Sequence, residues 1–189
     1  MKKILFISGS ARNGNCKMIL EKIQKDFWLE YSTDLVHIRD YNIKECKGCN
    51  ACTKNKTHAC VIPDDTTKVL LEKVVDADIV VLATPNYFYN VSGLTKTFID
   101  RTYSLYNQES LSGKKFVYIY VGADDINNTK KYCDNAMYGF TICHKISVLD
   151  SFAFSAGDIG ELKDPAQAQI TMQEIEKVLR ENLTEESYE

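Results

Sequence analysis

Residues 46–60 read CKGCNACTKNKTHAC, and thiols so closely spaced can do chemistry in more than one way. Cys46, Cys49, Cys52 and Cys60 follow C-x2-C-x2-C-x7-C. Thiolates three residues apart can take successive corners of an iron–sulfur cubane, and a fourth from the same loop can close the site. Gly48 would let the backbone come close to such a cluster. The same residues also read as a set of reduced thiols, and less readily as a zinc site, because structural zinc usually uses two separated cysteine pairs. His58 stands beside Cys60 as a substitute ligand or as a solvated loop residue, and Lys44, Lys47, Lys54 and Lys56 would lower thiolate pKa values or simply solvate the loop. The chain holds seven cysteines, and the odd count argues against a disulfide framework. Cys133 and Cys143, in an apolar helical context, are expected to be buried packing residues.

Two further stretches carry polar groups in useful patterns. SGSARNGN, followed by Cys16, offers serine hydroxyls, the Arg12 guanidinium, the Asn15 amide and backbone N–H groups at the start of a helix, a donor set suited to a phosphate monoester. It is neither GxxxxGK[ST] nor GxGxxG, which disfavours an ATPase loop and a pyrophosphate-binding turn. Polar strand-to-helix turns are common, so this loop alone leaves phosphate binding open. TPNYFYNVSG places Tyr87, Phe88 and Tyr89 where a polar loop is expected. These rings can pack on a flat heterocycle, at a subunit interface, or both.

The elements that must position these stretches alternate along the chain. KILFISG, DLVHI, DIVVLATP, KKFVYIYVG and SVLDSFAFSAG are strand-like runs. Between them, Leu20, Ile23 and Phe27 form one helical stripe, Leu70, Val74 and Ala77 a second with Asp64 or Asp65 as its cap, and Leu94, Phe98 and Ile99 a third with Ser92 as its cap. TKKYCDNAMYGFTICHK is helix-compatible although Gly139 weakens the pattern, and Ile175, Val178, Leu179 and Leu183 mark a last helix. Residues 41–65 stay a long loop, and loops of that length in compact domains are usually functional. The pattern is α/β, a parallel sheet with helices on both faces over one domain of residues 1–189. In such sheets ligands bind beyond the carboxyl ends of the strands, here after strands one, three and four.

Charge and hydropathy narrow the partners. With 26% charged residues, 44% apolar residues and a net charge of -3, the chain reads as soluble, globular and cytoplasmic. It has no general attraction for nucleic acid or anionic membranes. The apolar run after the two N-terminal lysines is too short for a secretion signal and reads as a first strand. No segment is long and apolar enough to span a bilayer.

GSARNGNC, the cysteine loop with its following CVIPDD, and ATPNYFYNVSGLTKTFIDR together resemble the flavodoxin-like NAD(P)H-dependent FMN reductases, specifically their iron-sulfur flavoprotein branch. The resemblance runs in order through roughly the first hundred residues and more loosely beyond. It implies a flavodoxin-like three-layer sandwich around a five-stranded parallel sheet. It also implies FMN with its phosphate on Ser10, Arg12 and Asn15, its ring against Pro85, Asn86, Tyr87 and Phe88, and Gly122 near the other side of the ring. Cys16 stands where the family usually has threonine, so a weaker thiol donor replaces a hydroxyl there. Asp124 and Asp125 would repel an anionic nicotinamide phosphate if they faced it. The activity implied is electron transfer from NAD(P)H through FMN to a quinone, a flavin or a similar acceptor, with no protein group acting as a general base. The alternative is an electron carrier between a ferredoxin-like donor and FMN, with Cys46, Cys49, Cys52 and Cys60 holding a [4Fe–4S] cluster; a zinc- or thiol-based redox sensor is a third reading. The resemblance further implies a homodimer or tetramer, and a bracing role for Asp100 and Arg101 in a helix or dimer contact.

Overall fold

A computed structural model describes residues 1–55 and 59–184. Five parallel strands, β1 (Lys3–Ser8), β2 (Ser32–His37), β3 (Ile79–Pro85), β4 (Lys115–Gly122) and β5 (Ser147–Ser155), lie in the order β2-β1-β3-β4-β5. The five runs expected from the sequence are thus all strands. Ile4 of β1 pairs with Thr33 on one side and Ile79 on the other, so β1 and β3 are central neighbours although a strand and two crossovers separate them in the chain.

Burial on both faces explains why the strands read as continuous apolar runs. Along β3 all seven residues are buried, and they alternate between two cores. Ile79, Val81 and Ala83 join Ile4 and Phe6 under α1 (Asn15–Gln24) and α7 (Pro165–Thr184), which contribute Ile19, Leu20 and Ile23, and Met172, Ile175 and Leu179. Val80 and Leu82 join Leu5 and Ile7 on the opposite face. There the cover comes from α3 (Leu71–Asp76), α4 (Gly93–Arg101) and α6 (Ile126–Cys143) through Val74, Phe98, Met137 and Phe140. This two-step alternation of a parallel sheet between helical layers gives the expected three-layer sandwich. Among the described residues no helix is long and apolar enough to cross a membrane.

One helix expected from the sequence is confirmed, and two local expectations differ from the structure. The α6 helix runs unbroken through Gly139, where a side chain would meet open space, and the Asp125 carboxylate accepts from the N–H groups of Asn127 and Asn128 to start it. One interior glycine costs about 1 kcal/mol, too little to break so long an element. Cys133 is buried as expected, but Cys143 is exposed because it falls on the outer side of the last turn of α6. Asp65 stands at the helix start but does not cap it through its side chain: the segment opens as a π-turn over Thr66–Leu70, and the carboxylates of Asp64 and Asp65 both bond elsewhere.

They turn to the neck of the cysteine loop. Asp65 accepts from the Asn42 N–H at 2.7 Å and donates its own N–H to the Asn42 carbonyl at 3.1 Å, while Asp64 accepts from the Lys44 N–H at 2.8 Å. Arg101, at the end of α4, is fully buried beneath this neck, ion-paired to Asp64 and donating to the Lys44 carbonyl at 2.8 Å. Arg101 therefore braces the cysteine loop, while Asp100 pairs with Lys96 on the surface of the same helix. Removing one partner of a buried pair leaves an uncompensated charge at a cost of about 3–5 kcal/mol. Arg101→Leu is expected to lower unfolding free energy by that amount in urea titration, and a loss below about 1 kcal/mol would show that the neck does not depend on the pair.

Candidate functional site

The loops after β1 and β3 are joined before either reaches solvent. Gly9 donates its N–H to the Ala83 carbonyl at 2.8 Å, and its own carbonyl accepts from the Ser92 hydroxyl at 2.6 Å. Ser92 also caps α4, as expected, by accepting from the Thr95 N–H at 3.0 Å. Thr95 in turn donates to the Thr84 hydroxyl at 2.9 Å. A Cβ on Gly9 would lie 1.8 Å from Thr95 Oγ1, so only glycine allows this approach.

Beyond this junction the two loops diverge, and a cleft of about 240 Å³ opens across the carboxyl ends of the strands. Ser10, Arg12, Asn15 and Cys16 form one wall, Pro85, Asn86 and Tyr87 a second, and Gly122 the floor. These are the expected cofactor residues, with one exception. Phe88 does not line the cleft and is fully exposed. The reason is local geometry. Tyr87 and Asn90 exchange both backbone hydrogen bonds, at 2.9 and 3.1 Å, across a tight turn whose central residues Phe88 and Tyr89 have φ of 53° and 57°. That turn normally takes Asn-Gly, and bulky residues there carry strain. It sends Phe88 outward, while Tyr89 packs on Tyr132 with ring centroids 4.7 Å apart and its hydroxyl bonds Asp124, holding that carboxyl below the usual carboxylate range.

The first wall suits an anion. Gly14 precedes α1 without any side-chain cap, so the first N–H groups of the helix have no side chain to satisfy them. The Arg12 side chain is exposed above them and makes no ion pair among the described residues. Ser10 accepts from the Arg12 N–H at 3.3 Å and donates to the Arg12 carbonyl at 3.0 Å, which folds the loop back on itself. Burial pushes the Cys16 thiol up to about 12, so it stays neutral and adds no charge against a phosphate. Asn15 works differently from the sequence expectation. Its amide donates to the carbonyls of Asp158 at 3.1 Å and Glu161 at 3.4 Å, and its oxygen accepts from the Gly160 N–H at 2.7 Å. Asn15 thus clasps the loop after β5 to the start of α1.

The second wall and the floor suit a flat ring with a polar edge. A Cβ on Gly122 would come within 2.9 Å of the Asn86 side chain, so glycine keeps the floor low. The Asn86 amide donates to the Thr129 hydroxyl at 3.3 Å, which leaves its buried oxygen without a protein partner among the described residues. An unsatisfied buried acceptor at a cleft is the complement of an N–H on a bound heterocycle. These residues therefore fit FMN: helix N–H groups and a guanidinium for its phosphate, a glycine floor and a buried acceptor for its ring. Sequence reasoning missed Val121, Ala123, Ala156 and Gly157, which complete the lining. The signal for Ala156 and Gly157 was the small-residue run SAG at the carboxyl end of β5, and Val121 and Ala123 flank Gly122 at the end of β4.

The cysteine loop lies apart from this lining. Cys46 and Cys49 are exposed, whereas Cys52, in the short helix α2 (Ala51–Lys54), and Cys60 are half-buried. Burial raises the Cys52 thiol, and the charges of Cys60, Cys46 and Cys49 add to the rise, so the four sulfurs share one neighbourhood. Arg101 also donates to the Cys60 sulfur at 3.4 Å. Yet among the described residues no three cysteine, histidine or acidic groups converge as a metal-binding set, and in this arrangement the thiols do not fit a cluster. His58 and Lys56 lie outside the described residues.

The model of the NADPH-dependent FMN reductase family matches residues 2–157. The chain belongs to this family. Within it, the relatives place the chain in the iron-sulfur flavoprotein branch. An iron-sulfur flavoprotein of Archaeoglobus fulgidus is 45% identical over 101 residues, which are 53% of this chain and 48% of the relative. Another from the same organism is 27% identical over 164 residues, 85% of this chain and 73% of the relative. One from Methanosarcina thermophila is 36% identical over 104 residues, 53% of this chain and 52% of the relative. The chain thus spans about half the length of two of these relatives. Among solved structures, an NADH:FMN oxidoreductase in its apo form superposes with a TM-score of 0.67 at 18% identity, covering 99% of this chain and 91% of the other. A Trp repressor binding protein from Bacillus subtilis gives 0.66 at 17% identity, over 93% of this chain and 97% of the other. These likenesses show a flavodoxin-like fold. A charge-assisted contact between Arg12 and a bound phosphate would be worth about 1.5–3 kcal/mol. Arg12→Ala is expected to weaken FMN binding at least about tenfold in fluorescence titration while leaving the melting temperature within 1–2 °C, roughly, because the side chain is exposed. Unchanged affinity would remove Arg12 from the phosphate site.

Proposed function

We propose that this chain is an FMN-dependent oxidoreductase that takes electrons from NAD(P)H and passes them to a quinone, a flavin or a similar small acceptor. The observation that carries the reading is the cleft itself, in which an uncapped helix start, an exposed guanidinium and a glycine floor meet where the strand order reverses. Bound FMN supplies both hydride and single-electron chemistry. The protein's part is placement. Arg12 and the first turn of α1 hold the phosphate, Asn86 presents its oxygen to the polar edge of the ring, and Tyr87 and Gly122 set the plane in which the ring lies. Asp125 is engaged in capping α6 and Asp124 is bonded by Tyr89, and neither carboxylate lines the cleft. The outward Phe88 favours a homodimer or tetramer in which a second copy covers the strained turn.

A second reading rests on the cysteine loop and on the naming of the curated relatives: a one-electron carrier between a ferredoxin-like donor and FMN, its loop holding a [4Fe–4S] cluster in an arrangement other than the one described. One anaerobic preparation separates the two. The first reading predicts flavin absorption bands that bleach within seconds on adding NADH or NADPH, whatever the iron content. Stoichiometric iron and sulfide, together with prompt reduction by ferredoxin and none by either nicotinamide, would overturn it in favour of the second. Failure to bind FMN on reconstitution would overturn both.

A further inference from the structure

The loop after β5 supplies a third side of the cleft, through Ala156 and Gly157. Of the helices only α1 reaches the lining; α4, the short helix α5 (Tyr103–Tyr106) and α6 belong to the other face of the sheet. This side is therefore built by loop alone. The loop is compact, with Ala156 bridged to Leu162 across it. The Ala156 N–H is donated to the Gly122 carbonyl at 2.7 Å and the Gly157 N–H to the Glu161 carbonyl at 3.2 Å. Because both N–H groups are spent inside the protein, the two residues that reach the cleft bring no donor for a phosphate. They suit the uncharged part of a flavin, its ring or its ribityl chain.

Asn15 ties this loop down with the whole of its side chain. It is 6% exposed, and its three hydrogen bonds all go to a loop 143–146 positions later in the chain. Nδ2 donates to the carbonyls of Asp158 and Glu161, and Oδ1 accepts from the Gly160 N–H, so the amide has no donor left over for an anion. Its main chain, by contrast, opens α1, where the first N–H groups have no side-chain cap. The residue thus serves the phosphate wall with its backbone and the loop with its side chain. Gly160 gives the loop the conformation this contact needs. Its φ is 83°, while a Cβ there would meet open space, so the demand for glycine is conformational and not steric.

We propose that Asn15 is a positioning residue for the flavin: its side chain does not bind the phosphate but holds the loop of residues 156–162 against the uncharged part of the cofactor. Its loss then weakens FMN and riboflavin by the same factor. This inference rests on the FMN reading above.

The test titrates the full chain, as wild type, Asn15→Ala, Gly160→Val and the double variant, with FMN and with riboflavin. Asn15→Ala is expected to weaken both flavins about tenfold or more, as the loss of two or three neutral hydrogen bonds implies, and to leave the ratio of the two affinities at its wild-type value. Arg12→Ala lowers that ratio instead. Gly160→Val breaks the clasp from its other end, at an exposed loop position remote from the core, and should act in the same way. The double variant should be no weaker than the single ones, since one clasp cannot be broken twice. At saturation, the visible circular dichroism of the bound flavin should change in both single variants, which a mere loss of stability would not produce. A lowered FMN-to-riboflavin ratio in Asn15→Ala would make the side chain a phosphate ligand and overturn the inference. Unchanged affinity for both flavins, additive losses in the double variant, or an unaltered spectrum would overturn it too. Failure of the wild type to bind FMN would instead overturn the proposed function, and this inference with it.

Discussion

The placement of β1 and β3 side by side, with the chain leaving them in opposite directions, is the constraint on which the site depends. A sheet that kept one direction of winding would carry every connecting loop the same way and close over its own edge. Here the loop after β1 turns back toward α1 and that after β3 runs toward α4, so a gap must open between them. The contact of Gly9 with Ser92 and Thr95 fixes the depth at which the gap begins. Everything that touches the cleft, from the first turn of α1 to the Asn15 clasp on the loop after β5, is hung from that junction.

The long cysteine loop depends on a different interaction. Its two ends are tied by main-chain and carboxylate bonds among Asn42, Lys44, Asp64 and Asp65, and the Arg101 guanidinium sits beneath them. Because Arg101 also reaches the Cys60 sulfur, the brace and the thiols belong to one unit rooted in α4. The same helix begins at Ser92, in the junction under the flavin cleft. One rigid element thus sets both the mouth of the cleft and the seat of the cysteine loop.

Much of this was legible in the sequence, and what was not has physical causes. Apolar runs in strands buried on two faces leave little alternative to a parallel sheet, so the five strands and their helices could be read directly. The cleft residues could be read because phosphate and flat rings demand particular donors at loop positions the topology fixes. Phe88 was misplaced because a run of three aromatics does not reveal which of them occupy left-handed backbone. The pairing of Asp64 with Arg101 was missed because a carboxylate near a helix start reads as a cap, and the arginine it also suits is brought by the fold from a later element. Asn15 was read as a ligand of phosphate, and its clasp on residues 158–161 depends on a long-range contact that no local pattern encodes.

The central claim is that the first wall of the cleft holds the phosphate of a flavin mononucleotide, and equilibrium titration of the apoprotein with FMN and with riboflavin tests it most directly. The account predicts one FMN per chain, bound at least about a hundredfold more tightly than riboflavin, since two or more charge-assisted contacts are lost with the phosphate. Equal binding of the two flavins, or binding of neither, would contradict it.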